Sequence, residues 1–555
     1  MNILVNHMLN LKNIATLLST ILLEMTAIAA PPNPLTPLPA TAPTTPTAYL
    51  LCNGQNANQN CLLVDASGKL LSAQLIEWAG HPHEKGTAEF IDGMLLFGRD
   101  VPYKTNGGPS MRYGYVNTLG QEIVPPIYIQ ANPFSEGLAR VCTDQGCGYI
   151  NTQGKLQLPI RPEWQTANDF HDGRALVRGA ADIYGNDPVP NGGVYALSSR
   201  GPFAVEKPWT VIDKNGNTIF GPDQKELMER GRPKVIEFVG TSNFHAPRID
   251  GDFSAGVAPF LSYARDNSDR GNDKRYGLLD INGKVVVPAI YLRRLEPLNG
   301  AFTVAERFKD NKSADGQLTS EKGLLNAKGV FTPYVQLFKP LVGVQPYRPE
   351  FEHVEGYTVL NDLGSKAVFA LLNTDAKITY VSTGRFKEND NRVSEGLLPV
   401  SFQVSRLAKK GEYFYDDRKG YRYLERAINT SDYYQGYIYP NGTLAMQNKK
   451  FTQVHAFSEG LAAVKKFIPV SDGPKRASGL NALGFIDRQG DWVIKPKFSE
   501  IVRKFKGGRA VVEHSEMLKD GFVGPSSQTL IDTQGRILAT FASLVGGLKP
   551  RPASQ

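Results

Sequence analysis

The sequence predicts an all-β chain built from a repeat array of short antiparallel strands, and three observations carry that expectation. Aromatic and β-branched pairs such as Tyr115-Val116 run into an Asn- or Asp-led turn closed by glycine, as in Asn117-Thr118-Leu119-Gly120. The pattern recurs: Gly114 and Gly148, like Gly120 and Gly154, stand 34 residues apart. A Phe-Ser-Glu-Gly-Leu-Ala run follows the strand pair at residues 134–139 and again at 457–462.

Residues 113–141 show one unit in full. Tyr115-Val116 is a strand, and Gly120 supplies the left-handed residue of the turn, which only glycine adopts cheaply. Ile123-Val124 resumes extended chain, and Pro125-Pro126 then removes two donors, so this strand ends or lies at an edge. Ser135-Glu136-Gly137 turns the chain into Leu138-Ala139-Arg140-Val141, a third strand. A unit of three such strands cannot bury its own apolar face, so stacking on neighbours stabilises it.

Further copies follow in order. Leu63-Val64-Asp65-Ala66-Ser67-Gly68 is a degenerate first one, and Gly148-Tyr149-Ile150-Asn151 opens a clean one with its third strand within residues 170–177. Val211-Ile212-Asp213 opens a copy whose third strand, residues 253–258, is delayed by an insertion with a candidate helix over 223–230. Copies also begin at Gly277, Gly323, Gly436 and Gly484, a decayed one lies around residues 371–376 with its Ser-Glu-Gly turn at 394–396, and a truncated one ends at Gly535. That makes about ten units, with atypical ends that suit capping. Small rotations per unit decide between a β-hairpin solenoid and a propeller-like ring, and sequence leaves both open.

The Gly-aromatic-Ile/Val-Asn/Asp strand and turn, the Ile/Val-x-Pro strand and the Ser-Glu-Gly-Leu-Ala strand together resemble the WG-repeat family, in its exported bacterial form. The namesake Trp is replaced by Tyr113, Cys147, Tyr276, Lys322, Gln435 and Leu483. The resemblance implies an all-β repeat fold and a binding or scaffold role, often on bacterial envelopes, with no catalytic residues to carry over.

Residues 1–29 read as a signal peptide, with Lys12, an apolar run over 14–23 and Ala27-Ile28-Ala29 as a cleavage site. Residues 30–48 form a Pro/Thr-rich linker, suited to an extended tether. Repeats then fill 49–345 and a basic second half, 346–555. No membrane span is expected after signal removal. Cys52 with Cys61 and Cys142 with Cys147 are expected as disulfides of an exported, periplasmic or extracellular protein.

Sites for chemistry are sparse. His81, His83 and Glu84 lack a third ligand, and the turn carboxylates and amides offer calcium too few oxygens, so no metal or cofactor is expected. The formal net charge is +8, yet residues 401–555 alone hold 24 Lys/Arg against 14 Asp/Glu. Lys449, Lys450, Lys465, Lys466, Arg503, Lys504, Lys506 and Arg509 are candidates for contact with a protein or an anionic envelope polymer, and nucleic acid is not expected. Tyr413, Tyr415, Tyr421 and Tyr423 are candidates for a binding surface in a Tyr-rich insertion. The function expected is a non-enzymatic exported binding or scaffold protein. The alternatives are a carbohydrate-active hydrolase on a β-repeat fold and a toxin-neutralising or inhibitory partner.

Overall fold

Asparagine and aspartate build the turns that the sequence predicts. In the computed structural model, Asn117 Oδ1 accepts from the Leu119 and Gln121 amides at 3.0 and 2.9 Å, and the Gly120 N–H donates to the Asn117 carbonyl. Asp213, Asp280, Asp487 and Asp532 make the same two side-chain bonds. Each such oxygen is thereby committed to its own turn.

The chain divides into two units, residues 1–45 and 46–555. The described residues belong to the second: 48–546, apart from 54–59, 73–75, 78–88, 102–109, 181, 185–202, 206–208, 222–227, 230–231, 234–247, 265–272, 297, 299–300, 313–317, 338–350, 362–368, 383–385, 389–391, 411–412, 417–419, 424–427, 449, 470–478 and 518–522.

The strands form small antiparallel meanders, numbered as sheets 1 to 10 with strands a to d in chain order. Sheet 3 shows the full form, with Gln130–Ala131, Leu138–Thr143, Gly146–Asn151 and Leu156–Arg161. Sheet 4 uses Thr166–Ala167, Ala175–Arg178, Thr210–Ile212 and Thr218–Phe220; sheet 5 uses Arg248–Ile249, Val257–Ala264, Asp273–Asp280 and Val285–Tyr291. Sheet 7 comprises Phe351–Val354, Tyr357–Asn361, Phe369–Asn373 and Ile378–Ser382, and sheet 8 Phe386–Glu388, Leu398–Ala408, Ile428–Ile438 and Leu444–Asn448. Sheet 9 has Phe451–Val454, Ala462–Pro469, Gly479–Ile486 and Trp492–Phe498; sheet 10 has Glu500–Lys506, Arg509–Met517, Val523–Asp532 and Ile537–Thr540.

Three sheets are described with strands b to d alone. Sheet 1 holds Tyr49–Cys52, Asn60–Val64 and Ile76–Glu77; sheet 2 holds Met94–Val101, Ser110–Asn117 and Glu122–Tyr128. Sheet 6 holds Phe302–Lys312, Leu318–Asn326 and Phe331–Pro333, and one pair, Tyr291 with Arg307, ties it to sheet 5.

The core lies between sheets. Met94, Leu96 and Tyr115 of sheet 2 meet Ala139, Val141 and Ile150 of sheet 3, and Leu138 and Tyr149 of sheet 3 meet Phe170 and Ile212 of sheet 4. Each following cluster advances by one sheet. Burying one such Leu, Val or Phe side chain contributes about 2 kcal/mol. A further cluster joins Val511, Leu530 and Ala539 of sheet 10 to Tyr49, Leu51 and Val64 of sheet 1. The succession therefore returns on itself.

Two contacts show that sheet 1 follows sheet 10 as any sheet follows its predecessor. Arg174 Nε of sheet 4 donates to the carbonyl of Ile281, the second turn residue of sheet 5, at 2.8 Å. Arg509 Nε of sheet 10 donates to the equivalent carbonyl of sheet 1, Ala66, at 2.6 Å. Likewise, a Cβ placed on turn Gly535 of sheet 10 would meet Ile494 of sheet 9 at 2.6 Å, and one on Gly68 of sheet 1 would meet Leu538 of sheet 10 at 2.5 Å. The sheets make a propeller-like ring closed by packing, without a hydrogen-bonded barrel.

The sequence repeat and the sheet are out of step. The unit at 113–141 contributes strands c and d to sheet 2 and strands a and b to sheet 3, so its third strand belongs to the next sheet. The two-residue strand a is too short to leave a pattern. Pro125 and Pro126 do lie on an edge strand, d of sheet 2. The first glycine of each copy also gains a reason, since a Cβ on Gly114 would sit 2.4 Å from the Val124 carbonyl of strand d. The expected helix over 223–230 falls mostly outside the described residues, but Met228–Glu229 at its end pairs as a strand with Arg232–Pro233.

Candidate interaction surface

The two ends of each meander differ in chemistry. Turns a–b and c–d share one end, and the b–c hairpin occupies the other, because successive strands alternate in direction.

The first end is tied from sheet to sheet. Residues before the a–b glycine adopt positive φ, as in Asp92 (51°), Glu136 (52°), Asp172 (52°), Glu395 (50°) and Glu459 (53°). Their carboxylates reach the next sheet: Asp92 accepts from the Gly137 N–H at 2.7 Å, Glu136 from Gly173 at 2.9 Å and Asp172 from Gly256 at 2.8 Å. Glu395 likewise accepts from Gly460, and Glu459 from both Gly507 and Gly508. The serine of the same turn donates to a carbonyl of the next sheet, as in Ser135 to Phe170, Ser394 to Phe457 and Ser458 to Phe505. Burial opposes ionisation of Glu136, but the Gly173 N–H and Lys214 outweigh it and hold its carboxyl below the usual range.

The Ser-Glu-Gly motif is thus an inter-sheet latch as well as a turn. Asp92, Asp172 and Glu355 play the same part without the full motif, and the readable signal was an acid followed by glycine. At Ala255, φ 53°, the conformation persists without a carboxylate.

An inner network runs through sheets 2 to 5. Tyr115 and Tyr149 donate to the Asn132 and Asn168 carbonyls at 2.6 and 2.7 Å. Asn132 Nδ2 donates to both oxygens of Asp169, and Asn168 Nδ2 to Asp252. Burial pushes the Asp169 carboxyl up, against the Asn132 bonds and Arg140, with Asp252 adding to the rise. Both carboxylates are engaged in joining neighbouring sheets.

The b–c end carries the departures from the repeat. Sheet 3 closes with a tight turn between Thr143 and Gly146, whereas Arg178 and Thr210 of sheet 4 enclose a hairpin of Asp182–Tyr184 with Phe203–Val205. Ala408 and Ile428 of sheet 8 enclose Tyr413–Asp416 paired with Gly420–Tyr423. The connection from Phe220 to Arg248, from strand d to the next sheet, leaves at this end too. Both cysteine pairs staple b–c hairpins: Cys52 lies opposite Cys61 and Cys142 opposite Cys147, with sulfurs 2.04 and 2.10 Å apart.

The described basic candidates are spread over strand b of sheet 9, sheet 10 and the connection before sheet 9. Lys465 pairs with Glu500, Arg509 is committed to Ala66, and burial lowers the Arg503 guanidinium to about 10 against the pull of Glu89. Lys504 and Lys506 lie with Arg503 on strand a of sheet 10. Lys450 is exposed between sheets 8 and 9, and Lys466 is half-buried opposite Phe451. Lys449, His81, His83 and Glu84 lie outside the described residues. Tyr413, Tyr415, Tyr421 and Tyr423 form two opposed pairs, Tyr413 with Tyr423 and Tyr415 with Tyr421. Among the described residues no group of three or more His, Cys, Asp or Glu is placed to hold a metal ion, and no helix is long and apolar enough to cross a membrane.

A family model described as WG containing repeat matches residues 113–147, 148–178, 448–466 and 484–515. The segment 484–515 has the same offset as the sequence unit, running from strand c of sheet 9 into strand b of sheet 10. No curated protein matches the chain. Among solved structures, a eukaryotic initiation factor aligns at 10% identity over 77% of this chain and 92% of its own, with a TM-score of 0.35. An acylaminoacyl peptidase of Pyrococcus horikoshii aligns at 13% identity over 68% of this chain and 52% of its own, with a TM-score of 0.24. Drosophila Plexin A in complex with Semaphorin 1b aligns at 11% identity over 88% and 86%, with a TM-score of 0.14.

Proposed function

For a chain that carries WG-containing repeats, we propose a non-enzymatic, exported binding or scaffold role, exercised through the b–c end of the ring toward a protein or an envelope polymer. One observation carries this reading. Long departures from the repeat leave at the b–c end, while carboxylate and serine latches occupy the other. A ring that holds one end constant and varies the other fits a platform with exchangeable loops. Export is supported by Lys12, the apolar run over 14–23 and the small-residue site at Ala27-Ile28-Ala29, together with two cysteine pairs at bonding distance.

The test is affinity capture from envelope fractions, comparing the wild-type chain with a variant whose residues 409–427 are replaced by Asn-Gly. A species retained by the first and lost by the second is the expected result. Turnover of glycans or peptides at ordinary enzymatic rates would overturn the reading.

A further inference from the structure

The two disulfides close b–c hairpins in the same register. Tyr49 pairs with Val64 as Ala139 pairs with Ile150, each pair standing next to the c–d turn. Cys52 is therefore equivalent to Cys142, and Leu50, two residues earlier, is equivalent to Arg140. Positions i and i+2 share a face of the strand, so each of these two residues lies beside its own disulfide.

Their surroundings differ in charge. Cys52 and Cys61 cluster with Leu50, Leu63, Leu95 and Phe97. At the other pair, Arg140 Nη1 donates to Cys142 Sγ at 3.4 Å. The same guanidinium donates to Gln130 Oε1 at 3.2 Å and to Asn132 Oδ1 at 2.5 Å. These acceptors are all neutral, and Arg140 Nε is buried without an acceptor. Arg161 of strand d stands opposite Cys147, with its guanidinium over Trp164. The residues of sheet 4 that pack against these cysteines, Ala167, Val177 and Ile212, are uncharged, and Asp169 is linked to Arg140 through Asn132.

We propose that Cys142–Cys147 is a site of thiol–disulfide exchange with a dithiol reductant, whereas Cys52–Cys61 is a structural staple. A guanidinium in contact with sulfur favours the thiolate, which stabilises the reduced pair and makes its disulfide the easier one to open. The reductant's thiolate attacks Cys147 Sγ, the S–S bond breaks, and its electron pair leaves on Cys142 Sγ, facing Arg140. The reductant's second thiol loses its proton to water and displaces Cys147, which takes up a proton, and the reductant departs as its own disulfide. Two electrons have then passed to the cysteine pair. At rest Cys142 is 3% exposed and Cys147 1%. One strand pair, Thr143 with Gly146, separates them from the exposed Asp144 and Gln145, so opening of that pair gives a small dithiol access. The new charge falls on the guanidinium that also holds Asn132, the residue that joins sheet 3 to Asp169 of sheet 4.

The test equilibrates the full chain in mixtures of reduced and oxidised dithiothreitol, traps free thiols by alkylation and reads each cysteine pair by mass spectrometry. At about pH 8, Arg140→Leu, which copies Leu50, is expected to need an about tenfold higher ratio of reduced to oxidised dithiothreitol to half-open Cys142–Cys147. Arg140→Lys, which keeps the charge, should stay closer to wild type, and Cys52–Cys61 should not move in either variant. In the reduced chain, ultraviolet thiolate absorbance should persist to lower pH in wild type than in Arg140→Leu. An unmoved Cys142–Cys147 midpoint in Arg140→Leu, an equal shift of both pairs, or a Lys variant that shifts as far as Leu would overturn the proposal. Identical thiolate titrations in wild type and Arg140→Leu would overturn it as well.

Discussion

The two ends of the ring solve opposite problems with the same strands. At the latched end, side chains of the turns are tied to backbone groups of the next sheet: Glu136 to Gly173, Ser135 to Phe170, Arg174 to Ile281. At the hairpin end, connections range from the tight turn after Thr143 to the long excursions after Arg178 and Ala408. Carboxylate and serine bonds to the next sheet thus gather at one end, and differences in hairpin length gather at the other. This contrast predicts unequal responses to substitution.

The largest effect is expected at Gly148, where an added Cβ would stand 2.7 Å from the Leu158 carbonyl and 2.9 Å from the Ile160 nitrogen. Backbone cannot yield there without moving strand d, so Gly148→Ala should destabilise by about 3 kcal/mol in chemical denaturation. Gly120→Val combines a φ of +76° with a Leu71 carbonyl 3.1 Å from the added carbon, and about 2 kcal/mol is expected. Next comes Glu459→Ala, which strips two N–H groups, Gly507 and Gly508, of their acceptor, for about 1.5 kcal/mol. Ser405→Ala, at an exposed position of strand b of sheet 8, should fall within about 0.5 kcal/mol. If Glu459→Ala proves no more damaging than Ser405→Ala, the two ends do not differ in the way described.

Much of the fold was legible because its turns are chemically explicit. Asn117, Asp280 and Asp487 announce their own hydrogen bonds, and the prolines of strand d announce an edge. Closure was not legible, since it depends on Arg509 finding Ala66, 443 positions away, with the geometry of an ordinary neighbour. The boundary of the unit was misplaced because Gln130–Ala131 and Thr166–Ala167 are too short to show alternation. Glu136 was read as a turn residue because its partner lies 37 residues on, in another sheet. Of the basic cluster, Lys465 and Arg509 make contacts between sheets, which their spacing along the chain does not announce. Side chains that recur were explained by the array.

The seam between sheets 10 and 1 offers the finest test, because there the latch is replaced. Sheet 10 turns through Gly507 and Gly508, with no acid to pass forward, and Tyr49 of sheet 1 donates its hydroxyl back to the Lys506 carbonyl at 3.2 Å. Burial pushes the Tyr49 phenol up to about 12, partly offset by Arg509 and reinforced by Glu459. A group whose folded pKa lies above its unfolded value of 10.0 binds its proton more tightly in the native state. Its contribution is full below pH 10 and disappears as pH rises through about 12. Tyr49→Phe keeps the ring and removes both the hydrogen bond and the titration. It should lower stability by about 0.5–1 kcal/mol at neutral pH and flatten the alkaline decline between pH 10 and 12. Hydrogen exchange in Val523–Asp532, which packs on Tyr49–Cys52, locates the loss. An identical alkaline limb in wild type and Tyr49→Phe would show that the seam is held by its apolar cluster alone.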